Sequence, residues 1–275
     1  MTTKLILLGT GSPRCLPNVY QSGTAVLVND TPFILDCGGG IVQRLAVAAV
    51  QNPALALGNL QHLVITHLHP DHTAGIADFI ISTWIRERKA PLQIYGPKGI
   101  KKMVALLIEA YEIGIAEHWE TVTPTSWPLL YDVHEYQAGK LLELAGTTIT
   151  AMQVVHGRLE AYALKFETPD KTIVISGDTN KQQVIIDAAR GCDILLHECY
   201  SKKGLDSSHY PEAYFGKVHT STIELAEIGH AARPKLIVLT HQMHLGPVSD
   251  EAFVAEITDL YDGEVIFGRD LDVFE

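Results

Sequence analysis

The 275-residue chain lacks paired cysteines, a long apolar run and an excess of positive charge. Its four cysteines form no Cys-x-x-Cys pair, which excludes a zinc-ribbon site and indicates free thiols in a reducing compartment. No stretch of about 18 apolar residues occurs, so no membrane-spanning segment is expected. The formal net charge is −11 without an offsetting basic patch, which argues against nucleic acid as a partner.

The beginning of the chain carries only a short apolar run. Within Met1–Gly9 this run is too short for the core of a signal peptide, and a first β-strand is predicted instead. Together with the free cysteines, this favours a cytoplasmic protein. The hydrophobic fraction of 47% is sufficient for a large core, and a single domain over residues 1–275 is expected.

Strand-like and helix-like runs alternate along the chain, which predicts the α/β class. The predicted strands are Leu5–Gly9, Thr24–Val28, Phe33–Asp36, Leu63–Thr66, Thr147–Val155, Ala161–Phe166, Thr172–Ile175, Ile194–Leu196 and Leu236–Thr240. Helices are predicted at Ile41–Val50, Gln182–Arg190 and Thr222–Ala232. Two more helices are predicted because apolar residues share one helical face, first Ile76, Phe79, Ile80, Thr83 and Trp84, then Ile100, Met103, Val104, Leu107, Ile108 and Tyr111. The two halves have a similar order of elements, which suggests two similar layers that face each other.

The segment His67-Leu68-His69-Pro70-Asp71-His72 places three imidazoles and one carboxylate within six residues. His67 and His69 project to the same side of an extended segment. Asp71 and His72 are expected at the turn into a helix that begins near Ala74. The two pairs can therefore face neighbouring positions, with ligand types that suit zinc, manganese or iron.

Three more potential ligands follow apolar runs further along the chain, namely His156, Asp178 and His241. Each lies at the carboxyl end of a predicted strand, where α/β folds place ligand sites. With the first segment they supply enough ligands for two divalent metal ions. The residues thus predict a dinuclear metal-dependent hydrolase.

The pattern His67-x-His69-x-Asp71-His72 resembles the signature of the metallo-β-lactamase superfamily, and the resemblance covers nearly the whole chain. It implies a four-layer αββα sandwich with a dinuclear site in the cleft between two sheets. By this resemblance, one metal ion binds His67, His69 and His156, the other binds Asp71, His72 and His241, and Asp178 bridges both ions.

Two further motifs narrow the resemblance to one branch. Leu196–Tyr200 is similar to the His-Glu-Ala-Thr motif of ribonuclease Z, and Val218–Ser221 is similar to its second histidine motif. The resemblance implies that Glu198 holds His219, which donates a proton to the leaving oxygen. Asp71 is then expected to orient a hydroxide that bridges the two metal ions.

Several departures from ribonuclease Z favour a small anionic ester as the substrate. The substrate arm of that family lies between the residues that match His156 and Asp178, which here are separated only by a strand pair. Its early basic residues are replaced by Cys15 and Pro17. The segment from Glu198 to His219 looks like arylsulfatase-type and small-molecule phosphodiesterase-like members. A phosphodiester or a sulfate ester is therefore predicted, whereas β-lactam hydrolysis is not, because zinc β-lactamases usually carry cysteine where Asp178 stands.

Two alternatives stay open at this point. One is a ribonuclease Z-type endoribonuclease that processes tRNA 3′ ends, and the other is a non-hydrolytic sensor or redox protein on the same fold. The aromatic and proline-rich stretch 114–139 is long for a plain connection, and it reads either as a lid or as a loop packed on the body of the protein or at a dimer interface. A homodimer is compatible with the resemblance.

Overall fold

The computed structural model describes residues 2–121 and 129–275, without the side chains of Trp119 and Glu120. Within these ranges the strands form two seven-stranded sheets. The first sheet has the order β14-β1-β2-β3-β4-β5-β6, with β1 (Thr3–Gly9), β2 (Gly23–Val28), β3 (Thr31–Leu35), β4 (His62–Val64), β5 (Leu92–Gly96), β6 (Tyr131–Glu135) and β14 (Val273–Phe274). The second has the order β13-β12-β11-β10-β9-β8-β7, with β7 (Gly139–Leu144), β8 (Thr147–His156), β9 (Leu159–Glu167), β10 (Thr172–Ile175), β11 (Ile194–Tyr200), β12 (Leu236–Met243) and β13 (Val265–Phe267).

Helices accompany each half of the chain. The first half contains α1 (Ile41–Ala48), α2 (Pro70–Thr73), α3 (Ile76–Ile85), α4 (Ile100–Ala110) and α5 (Glu112–Thr121). The second half contains α6 (Gln183–Ala188), α7 (Lys202–Asp206), α8 (Glu212–Val218), α9 (Thr222–Ala232) and α10 (Asp250–Thr258). In the described ranges, no helix has both the length and the apolar character needed to cross a membrane.

Apolar side chains on both faces of the strands hold the layers together. On β1, Leu5 and Leu7 face the interior between the two sheets, whereas Ile6 and Leu8 face the helices that cover the first sheet. A third cluster, which includes Leu225, joins the second sheet to its own helices. Burial of each such side chain contributes roughly 1.5–3 kcal/mol. The predicted four-layer αββα sandwich is confirmed.

Some predicted element boundaries are wrong. The helix predicted near Ala74 is α3, which begins at Ile76, and the short helix α2 before it, which begins at Pro70 because proline suits the first helical turn, was not predicted. The stretch 114–139 is not one long connection, since it includes most of α5 and all of β6. Tyr136 at its end is buried and donates a hydrogen bond to the Ile65 carbonyl at 2.8 Å. The stretch's Pro124, Trp127 and Pro128, on which the lid interpretation also depended, lie outside the described residues.

Candidate metal centre

The candidate site lies where strands of both sheets end. His67 to His72 follow β4 and enter α2, and His156 ends β8. Asp178 follows β10, and His241 lies near the carboxyl end of β12. Because these strands converge on one edge of the sandwich, all seven predicted ligands come together, and all except His69 are buried.

The first group of potential ligands contains His67, His69, His156 and Asp178. The His67 Nδ1 atom is 3.1 Å from the Thr66 hydroxyl, and His156 Nδ1 is 2.8 Å from the Val218 carbonyl oxygen. These contacts favour protons on both Nδ1 atoms, which leaves both Nε2 lone pairs directed inward. Both Nε2 atoms lie 3.0–3.1 Å from the same His69 Nδ1. A cation at this point satisfies three converging nitrogen lone pairs.

The second group contains Asp71, His72, Asp178 and His241. His72 Nδ1 contacts Asp36 Oδ2 at 2.8 Å, which places one proton on Nδ1 and makes Nε2 the nitrogen that faces the other members of the group. That Nε2 has no hydrogen-bond partner among the described residues and lies 3.4–3.5 Å from oxygens of Asp71 and Asp178. His241 Nε2 lies 3.1 Å from Asp71 Oδ2. Two carboxylates and two imidazoles that converge at these distances need positive charge among them, which either protons on the imidazoles or a bound cation supplies.

Asp178 belongs to both groups. Its carboxylate oxygens lie 3.3–3.8 Å from Nε2 atoms of four histidines, which are His67, His72, His156 and His241. Gly177, directly before it, has a φ of 58° that favours glycine, and a Cβ there would approach the Tyr162 carbonyl oxygen to 2.7 Å. The backbone is thus shaped to place this one carboxylate between the two groups.

Electrostatics in the site favour bound positive charge. Burial opposes ionisation of Asp178, but attraction to His241 and His72 holds its pKa well below the ordinary value. Burial lowers the pKa of His67 and of His156, so their imidazoles are neutral and able to bind a metal. For His72, burial is outweighed by Asp178 and Asp36, which raise its pKa well above the ordinary value. A divalent ion would displace that proton. The residues therefore fit a pair of divalent ions.

Asp36 is a site residue that the sequence interpretation missed. Its carboxylate accepts hydrogen bonds from the Thr66 backbone and hydroxyl at 2.8 Å and contacts His72 Nδ1 at 2.8 Å. Asp36 has a φ of 56° and His241 a φ of 48°, a left-handed conformation that is costly for non-glycine residues and is concentrated at functional sites. Asp36 thereby fixes the ring of a potential ligand from outside the ligand set. The available signal was the change from an apolar strand to Asp36-Cys37-Gly38.

Replacement of Asp36 by asparagine is expected to weaken metal binding by roughly 10–100-fold, because the carboxylate that orients His72 is lost. Chelator competition with zinc measures this affinity. Asp30→Asn, on the exposed turn after β2, is the matched control and should bind zinc like the unmodified protein. Equal affinities for both variants would show that His72 does not depend on Asp36.

Glu198 and His219 meet beside the two ligand groups. Glu198 is completely buried at the end of β11, and its Oε1 atom contacts His219 Nδ1 at 2.8 Å. The same oxygen accepts a hydrogen bond from the Thr179 backbone at 3.0 Å. With His241 the pair forms a third set of potential ligands, with atoms within 4.8 Å of one another. Burial raises the pKa of Glu198 well above its ordinary value and lowers that of His219.

A cavity of about 350 Å³ opens directly onto these groups. His69, Asp71 and Asp178 line one side of it, and His219 lines another. The half-exposed ring of Tyr214, on α8, completes the wall and packs edge-on against Phe215. Pro13 and Gln21, from the loop between β1 and β2, also line the cavity.

Comparison with known proteins agrees with this geometry. The sequence profile of the family described as "Anti-Pycsar protein Apyc1" matches residues 3–256. A relative named Ribonuclease Z from Mycobacterium bovis (strain BCG / Pasteur 1173P2) is 30% identical over 280 residues, which cover 98% of this chain and 96% of the relative.

Two solved structures share the fold. The metallo-β-lactamase fold protein YhfI from Bacillus subtilis superposes with a TM-score of 0.76 at 19% identity, covering 99% of this chain and 98% of YhfI. The short form of human tRNase Z (ELAC1) superposes with a TM-score of 0.75, also at 19% identity and with the same coverage. The predicted resemblance to the metallo-β-lactamase superfamily and its ribonuclease Z branch is confirmed. The chain belongs to the Anti-Pycsar protein Apyc1 family and has the metallo-β-lactamase fold.

Proposed function

We propose that this protein is a dinuclear metal-dependent phosphodiesterase whose substrate is a small diester that carries a flat ring. The observation that carries the proposal is the cavity itself, in which both potential metal groups, the His219 imidazole and the Tyr214 ring face the same space. Its volume of about 350 Å³ is within the range of pockets that bind small molecules. Cyclic nucleotides are diesters of this size and shape.

The ligand set determines the charge of the substrate. Two divalent ions, with zinc favoured and manganese or iron as alternatives, would activate a water molecule and neutralise charge on the ester oxygens. Among the described residues, the first two ligand groups contain two carboxylates, Asp71 and Asp178, so the loaded site keeps a net positive charge. An anionic diester is therefore attracted to the site, in an otherwise acidic protein. Asp71, which lines the cavity, orients the attacking water and accepts its proton.

The Glu198–His219 pair supplies the proton for the leaving oxygen. The raised pKa of Glu198 and the lowered pKa of His219, both caused mainly by burial, favour a pair that shares one proton. That proton resides either on the carboxyl group or on the imidazole, which are joined by the 2.8 Å contact at Nδ1. His219 then donates from Nε2 to the alkoxide that forms as the ester bond breaks.

Tyr214 is proposed as the surface on which the ring of the substrate stacks. Its side chain is 53% exposed, and the neighbouring Phe215 ring holds it in place with a centroid separation of 5.5 Å. Stacking of a base on an aromatic side chain contributes roughly 1–3 kcal/mol. Tyr214→Ala should therefore raise KM about tenfold for a ring-bearing diester with little change in kcat. The control is Tyr111→Ala, which removes an exposed tyrosine directly after α4 and should change neither KM nor kcat.

RNA is the second candidate substrate, because the relative at 30% identity is named Ribonuclease Z. Against this candidate, His156 and Asp178 are separated only by the strands β9 and β10, which leaves no room for a substrate arm. The net charge of −11 also opposes binding of a polyanion, whose affinity depends on many basic contacts.

A substrate panel with purified protein tests the proposal. The panel contains bis(4-nitrophenyl) phosphate, purine and pyrimidine 3′,5′-cyclic nucleotides, nitrophenyl sulfate, a β-lactam and a precursor tRNA, each with zinc and with manganese. We expect metal-dependent turnover of the small diesters and none of the β-lactam. Faster cleavage of the precursor tRNA than of every small diester would replace the proposal with the ribonuclease function, and preference for the sulfate would change the ester class.

A further inference from the structure

A second, smaller cavity lies behind the candidate metal centre, between the two sheets. Its volume is about 30 Å³, and its lining includes Thr24, Asp36, Glu198 and His241. A cavity needs at least about 10–15 Å³ of such volume to hold a water molecule, together with two or more polar partners. This one is therefore large enough for one or two waters and, at its metal-facing end, polar enough to hold them.

Two buried atoms at this place have no hydrogen-bond partner among the described residues. They are Glu198 Oε2 and His241 Nδ1, and neither is exposed to solvent. The other atom of each group is already engaged, because Glu198 Oε1 contacts His219 and His241 Nε2 faces Asp71 and Asp178. A buried polar atom without a partner is destabilising by about 1–3 kcal/mol and is usually satisfied by ordered water.

The backbone explains why the cavity exists. In the parallel pairing of β11 and β12, Glu198 lies opposite Thr240 and Cys199 lies opposite Gln242, so that His241 is an extra residue. This bulge, with a φ of 48° at His241, lies beside Glu198, and both residues line the cavity. Thr24 on β2 closes the cavity from the opposite sheet.

We propose that the cavity binds an ordered water that joins Glu198 Oε2 to His241 Nδ1. Glu198 is then a positioning residue for two histidines, since it holds His219 directly and His241 through this water. The hydrogen bond from His241 Nδ1 fixes the tautomer in which Nε2 is free to bind a metal ion. Only the consequence for catalysis depends on the proposed phosphodiesterase function, because neither hydration nor metal affinity requires a substrate.

Metal affinity separates this role of Glu198 from its role toward His219. Zinc affinity measured by chelator competition should fall about tenfold or more in Glu198→Gln and stay within about twofold of the unmodified protein in His219→Asn. If Glu198 serves His219 alone, both variants bind zinc normally and the proposal is wrong. This result is independent of which ester, or whether any ester, is hydrolysed.

A matched pair of substitutions at Thr24 tests the water itself. Thr24→Ile fills the cavity, whereas Thr24→Val removes the hydroxyl but keeps the space. Crystal structures of the metal-loaded protein and of the valine variant should show ordered water within about 3.2 Å of Glu198 Oε2 and His241 Nδ1. The isoleucine variant should lack it and bind zinc about tenfold more weakly. A dry cavity in the unmodified protein, or direct contact between the two side chains, would overturn the proposal even if the isoleucine variant fails to fold.

Discussion

Asp178→Ala is expected to reduce bound metal from two ions per chain to at most one and to lower the rate of diester hydrolysis by at least about 1000-fold, or ~4 kcal/mol. The reason is geometric, because one carboxylate lies 3.3–3.8 Å from four imidazoles and is shared by both ligand groups. No other carboxylate in the described residues belongs to both groups, so neither ion keeps its full set of ligands.

Elemental analysis of the purified variant measures the metal content, and turnover of bis(4-nitrophenyl) phosphate measures the rate. The matched control is Asp187→Ala, which removes an exposed aspartate on α6 that pairs with Arg190. The control should keep both metal ions and full activity. Two ions per chain together with normal turnover in Asp178→Ala would contradict the predicted bridging role.

His219→Asn should separate proton donation from metal binding. The asparagine amide can still donate to Glu198 but cannot protonate a leaving group. We expect kcat to fall about 10²–10⁴-fold for alkyl diesters, whose leaving alkoxide requires a proton. The rate for a nitrophenyl ester should fall less than about threefold, since nitrophenolate leaves without protonation. Metal content should stay at two ions per chain.

The comparison of the two leaving groups provides the readout, because general damage to the site lowers both rates alike. His134→Asn is the control, as it alters an exposed histidine on β6 that contacts Gln93 and stacks on Tyr95, away from the candidate site. Equal losses on alkyl and nitrophenyl esters would contradict the role of His219 as the proton donor, and loss of metal would show that His219 acts as a ligand. A ligand role for His219 is the structural alternative, because His219 belongs to the third set of potential ligands.

Much of the fold could be predicted from the sequence because its signals are local. The continuous apolar run Leu5 to Leu8 on β1 and the apolar face of α3 each identify an element within a few residues. The predicted ends of strands and helices were less accurate than the predicted elements themselves. Strand β11 continues through His197 to Tyr200 although the apolar run ends at Leu196, because the neighbouring strands supply hydrogen-bond partners for these polar residues.

The types of ligand and their order follow from the amino-acid sequence, since His67 to His72 lie within six residues and their spacing is local. Which distant groups complete the site depends on how the chain folds. Asp36 reaches His72 across 36 positions and His241 reaches Asp71 across 170, contacts that depend on how two sheets pack and on a bulge beside Glu198. Such long-range contacts produce no local pattern in the amino-acid sequence. They arise when strand ends from both halves converge, and burial there, rather than residue type, sets the charges of the Glu198–His219 pair.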